Sequence, residues 1–171
     1  MNHRYLFLDL RDITSMEHVH RRVYTPQRHP ENPILQGEND WERFASLYGT
    51  VLRDPQNGTF KMWYLTGPQK DGFVQIRGRR ALGNCTLLGY AESHDGVRWH
   101  KPVLNQVDVA GSTANNLIDV GRSNCEGFAV LYDQRDPDPH RRYKGFYWEH
   151  GGTDTFVEHE GRLIWGQGEG D

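Results

Sequence analysis

The sequence predicts an all-β protein: a partial β-propeller of about two four-stranded antiparallel blades plus an N-terminal strand segment. Three observations predict it. Short apolar runs alternate with clusters of Gly, Pro, Asn and Asp, and no long segment carries the 3.6-residue apolar period of a helix. The chain is rich in glycine (19), proline (8) and aromatic residues (12%), which disfavours helix and suits strands joined by turns. Two parts of the chain can also be laid over each other. Asp54 matches Asp133, Phe60-Lys61 matches Tyr143-Lys144, and Asp95-Gly96 with Trp99 matches Glu160-Gly161 with Trp165. Tandem meanders of this kind are what blade repeats look like. Two unrelated hairpin pairs in a β-sandwich are the other reading of the same pattern.

The elements follow in order. Tyr5–Asp9 (YLFLD) reads as a strand. Val19–Tyr24 is a second candidate, with alternating faces. Pro26, Pro30 and Pro33 make 25–35 an extended surface segment. Residues 41–47 read as a helical turn or a loop. Tyr48–Arg53 is a strand, Asp54–Gly58 a turn carrying Asn-Gly, and Phe60–Leu65 the returning strand, which together make a β-hairpin. Residues 67–80 read as a long polar loop. Thr86–Ser93 is a third strand, and Val97–Trp99 begins a fourth after the turn at Asp95-Gly96. Gly127–Tyr132 and Tyr143–Trp148 repeat the hairpin. Thr155–Glu158 and Arg162–Trp165 are short strands around Glu160-Gly161, and 166–170 read as a frayed tail. The domain plan is therefore an entry segment (1–47), a first blade (48–104) and a second blade (126–166).

Length and charge exclude several classes. A chain of 171 residues suits one domain. Its longest apolar runs are far shorter than the roughly 20 residues of a membrane helix. A net charge of −3 argues against nucleic acid as a partner. The opening residues carry no basic stretch followed by an apolar core, so the expected location is cytoplasmic. Cys85 and Cys125 form neither a CxxC unit nor a disulfide framework. His18 and His20 share a strand face but lack a third ligand, and Asp136-Pro137-Asp138-Pro139 does not match a calcium loop. No metal and no cofactor is expected.

Four segments resemble the five-bladed propellers grouped around glycoside hydrolase families 32, 43, 68 and 130. They are most similar to bacterial proteins with a family 32 N-terminal domain. The segments are LFLD (6–9) with RRVYTPQRHPENPIL (21–35), YGTVLRDPQNGTFKMWY (48–64), GYAESHDGVRWHKPVLN (89–105), and NNLIDVG (115–121) with VLYDQRDPDPHRRYKGFYW (130–148). The resemblance implies hydrolysis of a glycosidic bond in an oligo- or polysaccharide, with carbohydrate as the partner. A five-bladed ring needs about 20 strands, more than this chain offers, so a truncated member, or copies that complete the ring as a homo-oligomer, is expected. The alternative is a non-catalytic carbohydrate-binding or assembly module.

Glycosidic cleavage uses two carboxylates flanking the bond. Glu126 precedes the first strand of the second repeat, near where these families place their acid/base glutamate, and is the candidate for that role. Cys125-Glu126 reverses the family 32 Glu-Cys order. Asp54, in an Arg53-Asp54-Pro55 match to the family 32 motif, is the second candidate, although an Asp-Pro pair opening a turn needs no catalysis to explain it. Asp9, Glu31 and Glu42 are further carboxylates of the N-terminal part. His29, Asn32, Arg53 and Asn116 are candidate substrate-binding residues. Tyr48, Trp63, Trp99 and Trp148 are either sugar-stacking rings or core.

Overall fold

The computed structural model describes residues 13–121 and 124–149, and the backbone of two further strands at 156–159 and 162–165. The chain divides into two units, Met1–Pro30 and Glu31–Asp171. In the first unit, residues 19–30 are exposed and carry no strand. The expected strand at Val19–Tyr24 is thus not formed. Val19, Val23 and Tyr24 are exposed together with the charged residues between them, so no face is buried to reward pairing. Arg22 lies over the Tyr24 ring, 4.9 Å from its centroid. The candidate strand at Tyr5–Asp9 falls outside the described residues.

The second unit is all-β and antiparallel. Its main sheet comprises β1 (Ser46–Arg53) and β2 (Phe60–Thr66). The small hairpin β3 (Phe73–Ile76) and β4 (Arg79–Leu82) interrupts the chain before β5 (Leu87–Ser93) and β6 (Leu117–Ile118) rejoin the sheet, giving the order β1-β2-β5-β6. β7 (Cys125–Tyr132) pairs with β8 (Tyr143–Glu149), and β9 (Phe156–His159) pairs with β10 (Arg162–Trp165), each as a two-stranded sheet. Among the described residues the only helical turn is a 3-10 turn at Pro139–Arg141, capped by the Asp138 carboxylate. None is a helix long and apolar enough to cross a membrane.

The period-two alternation of β2 sets the core. Met62 and Tyr64 face one way and pack with Ala91, Leu35, Ala45 and Trp99. Trp63 faces the other way and packs with Leu88, Cys125, Phe128 and Val130, so β7 covers this side of the sheet. Gly89 lies beneath the Tyr64 ring, where a Cβ would come within 2.6 Å of ring carbon. Here the absence of a side chain lets Tyr64 lie flat across the neighbouring strand.

The two principal hairpins are built alike. β1 and β2 meet at Arg53↔Phe60 and Leu52↔Lys61, and β7 and β8 meet at Tyr132↔Tyr143 and Leu131↔Lys144. In each, an aspartate ends the first strand and accepts from the amide two residues on: Gln56 to Asp54 (2.9 Å) and Arg135 to Asp133 (3.0 Å). In each, that carboxylate pairs with the lysine at the second position of the return strand: Lys61 to Asp54 (2.8 Å) and Lys144 to Asp133 (2.7 Å). Both first strands carry a register irregularity near their start, between Ser46 and Thr50 and between Glu126 and Ala129.

β1 and β7 lie side by side in the same direction. The Tyr48 ring sits against Gly127, and Gly49 lies near the Phe128 carbonyl. The Val130 amide donates to Thr50 Oγ1 (2.9 Å), and Gln56 reaches the Tyr132 hydroxyl (3.4 Å).

Three expectations are corrected. Residues 67–80 are not all loop, because β3 and β4 form a hairpin whose turn, Arg77-Gly78, has both φ angles positive (52° and 69°). Val97–Trp99 is not a strand: Asp95 Oδ1 accepts from the amides of both Val97 and Arg98 (2.8 Å each), so neither can join a ladder. Its place is taken by β6, and His100 makes only an isolated bridge to Glu92. The second repeat is not a four-stranded sheet among the described residues, since β7–β8 and β9–β10 are separate ladders.

Candidate functional site

Among the described residues, polar side chains gather at several places, and three bear on the candidate site. The first lies between the main sheet and the β7–β8 hairpin. Asp54 is buried, and its Oδ2 receives Lys61 Nζ and the Tyr143 hydroxyl (3.0 Å). Lys61 also donates to the Tyr143 oxygen (3.2 Å), with its ammonium 4.7 Å from the centroid of that ring. Trp63 tilts against both Tyr90 and Tyr143, and the Tyr90 hydroxyl donates to Glu92 (2.7 Å). Hydrogen bonds from Lys61 and from the Gln56 amide hold the Asp54 carboxyl down at about 2, against the opposing effect of burial. Burial pulls the Lys61 ammonium down, but Asp54 and Tyr143 outweigh it and leave it above its usual value. Burial, reinforced by Glu92, pushes the Tyr90 phenol well up. A carboxylate held so firmly ionised is a poor proton carrier and a good structural anchor.

The second place lies on the opposite face of the same sheet. Glu42 is fully buried at the end of a tight turn closed by Asn39. The Tyr64 hydroxyl donates to its Oε1, and Lys101 Nζ donates to its Oε2 (2.7 Å) and to the Gln36 carbonyl (2.6 Å). Asn116 Nδ2 donates to the Tyr64 hydroxyl (2.7 Å) and to the Tyr90 carbonyl (2.9 Å), while its Oδ1 accepts from Trp41 Nε1 (3.3 Å). Burial, followed by the Glu42 carboxylate, pushes the Tyr64 phenol far up. Every partner here is met within the fold, so the network ties residues 36–42 and Lys101 down onto the sheet.

The third place is the end at which β1 and β7 both begin. Tyr48 is exposed there, and its ring lies against Gly127, the residue after the partly exposed Glu126. Gly127 has φ +60°, a backbone conformation that favours glycine, and the Tyr48 ring lies at van der Waals distance from where its Cβ would stand.

The sequence candidates therefore scatter. Glu126 stands opposite Trp148 in the β7–β8 ladder, whereas Asp54 is bonded to Tyr143. At about 3.4 Å per residue, Tyr143 and Trp148 are about 17 Å apart along β8. A glycosidase pair needs about 5–5.5 Å or about 6.5–9.5 Å. Glu126 and Asp54 thus lie farther apart along the sheet than such a pair. Arg53 is exposed but occupied locally, donating to the Gly58 carbonyl (3.2 Å) and lying over the Phe60 ring. Asn116 is 2% exposed with its amide fully engaged, which removes it from substrate contact. Asn32 is exposed in the second unit and His29 in the first. Of the stacking candidates, Trp63 is core and Trp99 packs beside Met62 and Tyr64, while Tyr48 and Trp148 are exposed.

In the sequence Glu42 stands out only as one further carboxylate of the N-terminal part, and its partners are not apparent there. Tyr64, Lys101 and Asn116 stand 22, 59 and 74 positions away along the chain, so no local spacing announces them. Among the described residues no cluster of three or more His, Cys, Asp or Glu could hold a metal ion. Comparison of the chain with family models, with curated proteins and with solved structures gives no match.

Proposed function

We propose that the chain is a two-blade portion of a glycoside hydrolase-type propeller and engages carbohydrate at the end where β1 and β7 begin. One observation carries the reading: the exposed Tyr48 ring adjoins Gly127, next to Glu126, at the converging starts of two like-built strands. An aromatic face beside a carboxylate suits a sugar, whose ring stacks on one while its hydroxyl or glycosidic oxygen meets the other. In this reading Tyr48 binds the ring and Glu126 is the acid/base. Asp54 is bonded to Tyr143, at the other end of β8 from Glu126's ladder partner, so this reading calls for a second carboxylate from elsewhere.

That separation favours a second reading, a non-catalytic carbohydrate-binding module. A glycan panel with wild type, Tyr48→Ala and Glu126→Gln separates the two. Binding weakened roughly tenfold or more by Tyr48→Ala supports the site. Hydrolysis that Glu126→Gln abolishes while binding persists selects the enzyme. Binding without hydrolysis selects the module. A chain that binds no glycan, or whose binding ignores both substitutions, overturns the proposal.

A further inference from the structure

Charge is placed unevenly along this chain. Between Glu17 and Glu31, the stretch 18–30 carries Arg21, Arg22 and Arg28 together with His18, His20 and His29, and no acidic residue. The whole chain holds 20 Lys and Arg, so the other 17 stand against all 23 Asp and Glu. A positive stretch thus sits in a chain whose remainder is clearly negative. Every residue from 14 to 33 is exposed. Val19, Val23 and Tyr24 are exposed among the cations, so the stretch offers apolar as well as charged contacts. Arg22 holds its guanidinium over the Tyr24 ring, and among the described residues neither Arg22 nor Arg28 meets a carboxylate. Pro26 and Pro30 restrict the backbone, which lowers the entropy lost when a ligand orders it.

We infer that residues 18–30 bind an acidic polysaccharide, one whose sugars bear carboxylate or sulfate groups. Charge complementarity carries the inference. A guanidinium presents a planar fork of N–H donors that matches such an oxyanion, and Arg22 and Arg28 offer two of them six positions apart. Tyr24 adds an exposed ring for the apolar face of a sugar. Nucleic acid fits less well. Duplex DNA carries a charge for every ~1.7 Å of its axis, and so dense a polyanion would be repelled by the negative remainder of the chain. A polysaccharide spreads its charges more thinly and meets less of that repulsion. The choice of a glycan rests on the carbohydrate reading above, whereas the charge of the stretch stands on its own.

Biolayer interferometry on the full chain tests it. Polygalacturonate is the carboxylate probe and dextran sulfate the sulfate probe, with neutral dextran and single-stranded DNA beside them. At low salt at least one acidic glycan should bind roughly tenfold or more tightly than neutral dextran, and should weaken as salt rises. Combining Arg22→Gln with Arg28→Gln should lower that affinity roughly tenfold or more. Both side chains are exposed, so the variant should keep the wild-type circular dichroism spectrum. Tyr48→Ala should leave the salt-sensitive binding in place, so failure of the stretch and failure of the site at Tyr48 are told apart. Acidic glycans bound no better than neutral dextran overturn the inference. So does binding that ignores the loss of both arginines, whether or not it depends on Tyr48. DNA bound as tightly as the acidic glycans overturns it too.

Discussion

Tyr143 donates its phenolic hydrogen to Asp54 across 3.0 Å, joining two hairpins that are 89 positions apart at these residues. The same oxygen accepts from Lys61, whose ammonium closes the triangle. The contact is where the hairpin lock of one repeat becomes the seat of the next.

Tyr143→Phe keeps the ring against Trp63 and Tyr132 but deletes both hydrogen bonds. Urea unfolding should show a loss of about 1–3 kcal/mol, since Asp54 is charged and buried. A loss below about 0.5 kcal/mol would mean the hydroxyl adds nothing to the seam.

The two lysine locks should differ in strength. Lys61 lies deep in the seam, with its side chain 20% exposed, and Lys61→Met strands the buried Asp54 carboxylate. The expected cost is about 3 kcal/mol. Lys144 is more open and screened by solvent, and Lys144→Met should cost clearly less. Equal losses in chemical denaturation would contradict the seam geometry.

Acid should weaken the fold through these carboxylates. Asp54 and Asp95 titrate at about 2 when folded, against an ordinary value of 3.8, and Asp133 and Asp136 are lowered too. Such groups bind protons more tightly in the unfolded chain. Their contribution is therefore full above pH about 4 and is lost as pH falls towards about 2. Stability measured from pH 7 to 2 should drop in that window, and Asp54→Asn should flatten part of the drop. An unchanged profile in Asp54→Asn would show that its lowered titration is not real.

Glu42→Ala should rank among the most damaging single changes. It leaves the Lys101 ammonium and the Tyr64 hydroxyl without their buried partner, at an expected cost of about 3–5 kcal/mol. Glu42→Gln retains an acceptor and should cost less. A thermal melt that does not separate the two would argue that charge pairing contributes little there.

Both hairpins were legible in the sequence because their signals are local. Asp54 and Asn57-Gly58 punctuate one turn, Asp133 and Pro137 the other, and the lysine two places into each return strand repeats. The β3–β4 hairpin was hidden because Arg77-Gly78 is a weak turn signal and its apolar face is short, carried by Val74, Ile76 and Ala81. Val97–Trp99 looked like a strand until the Asp95 side chain claimed its amides, a competition that alternation cannot reveal. For the site, Glu126 and Tyr48 were visible as residue types beside strand starts. The approach of Tyr48 to Gly127 depends on β1 and β7 lying in register, which is set by packing around Phe128 and Trp63 rather than by any motif.

The most direct test of two like hairpins seated on one another is a double-mutant cycle on Asp54 and Tyr143. Asp54→Asn, Tyr143→Phe and the double variant should give a coupling energy of about 1–2 kcal/mol in unfolding free energy. Additive losses, with a coupling near zero, would contradict the seam.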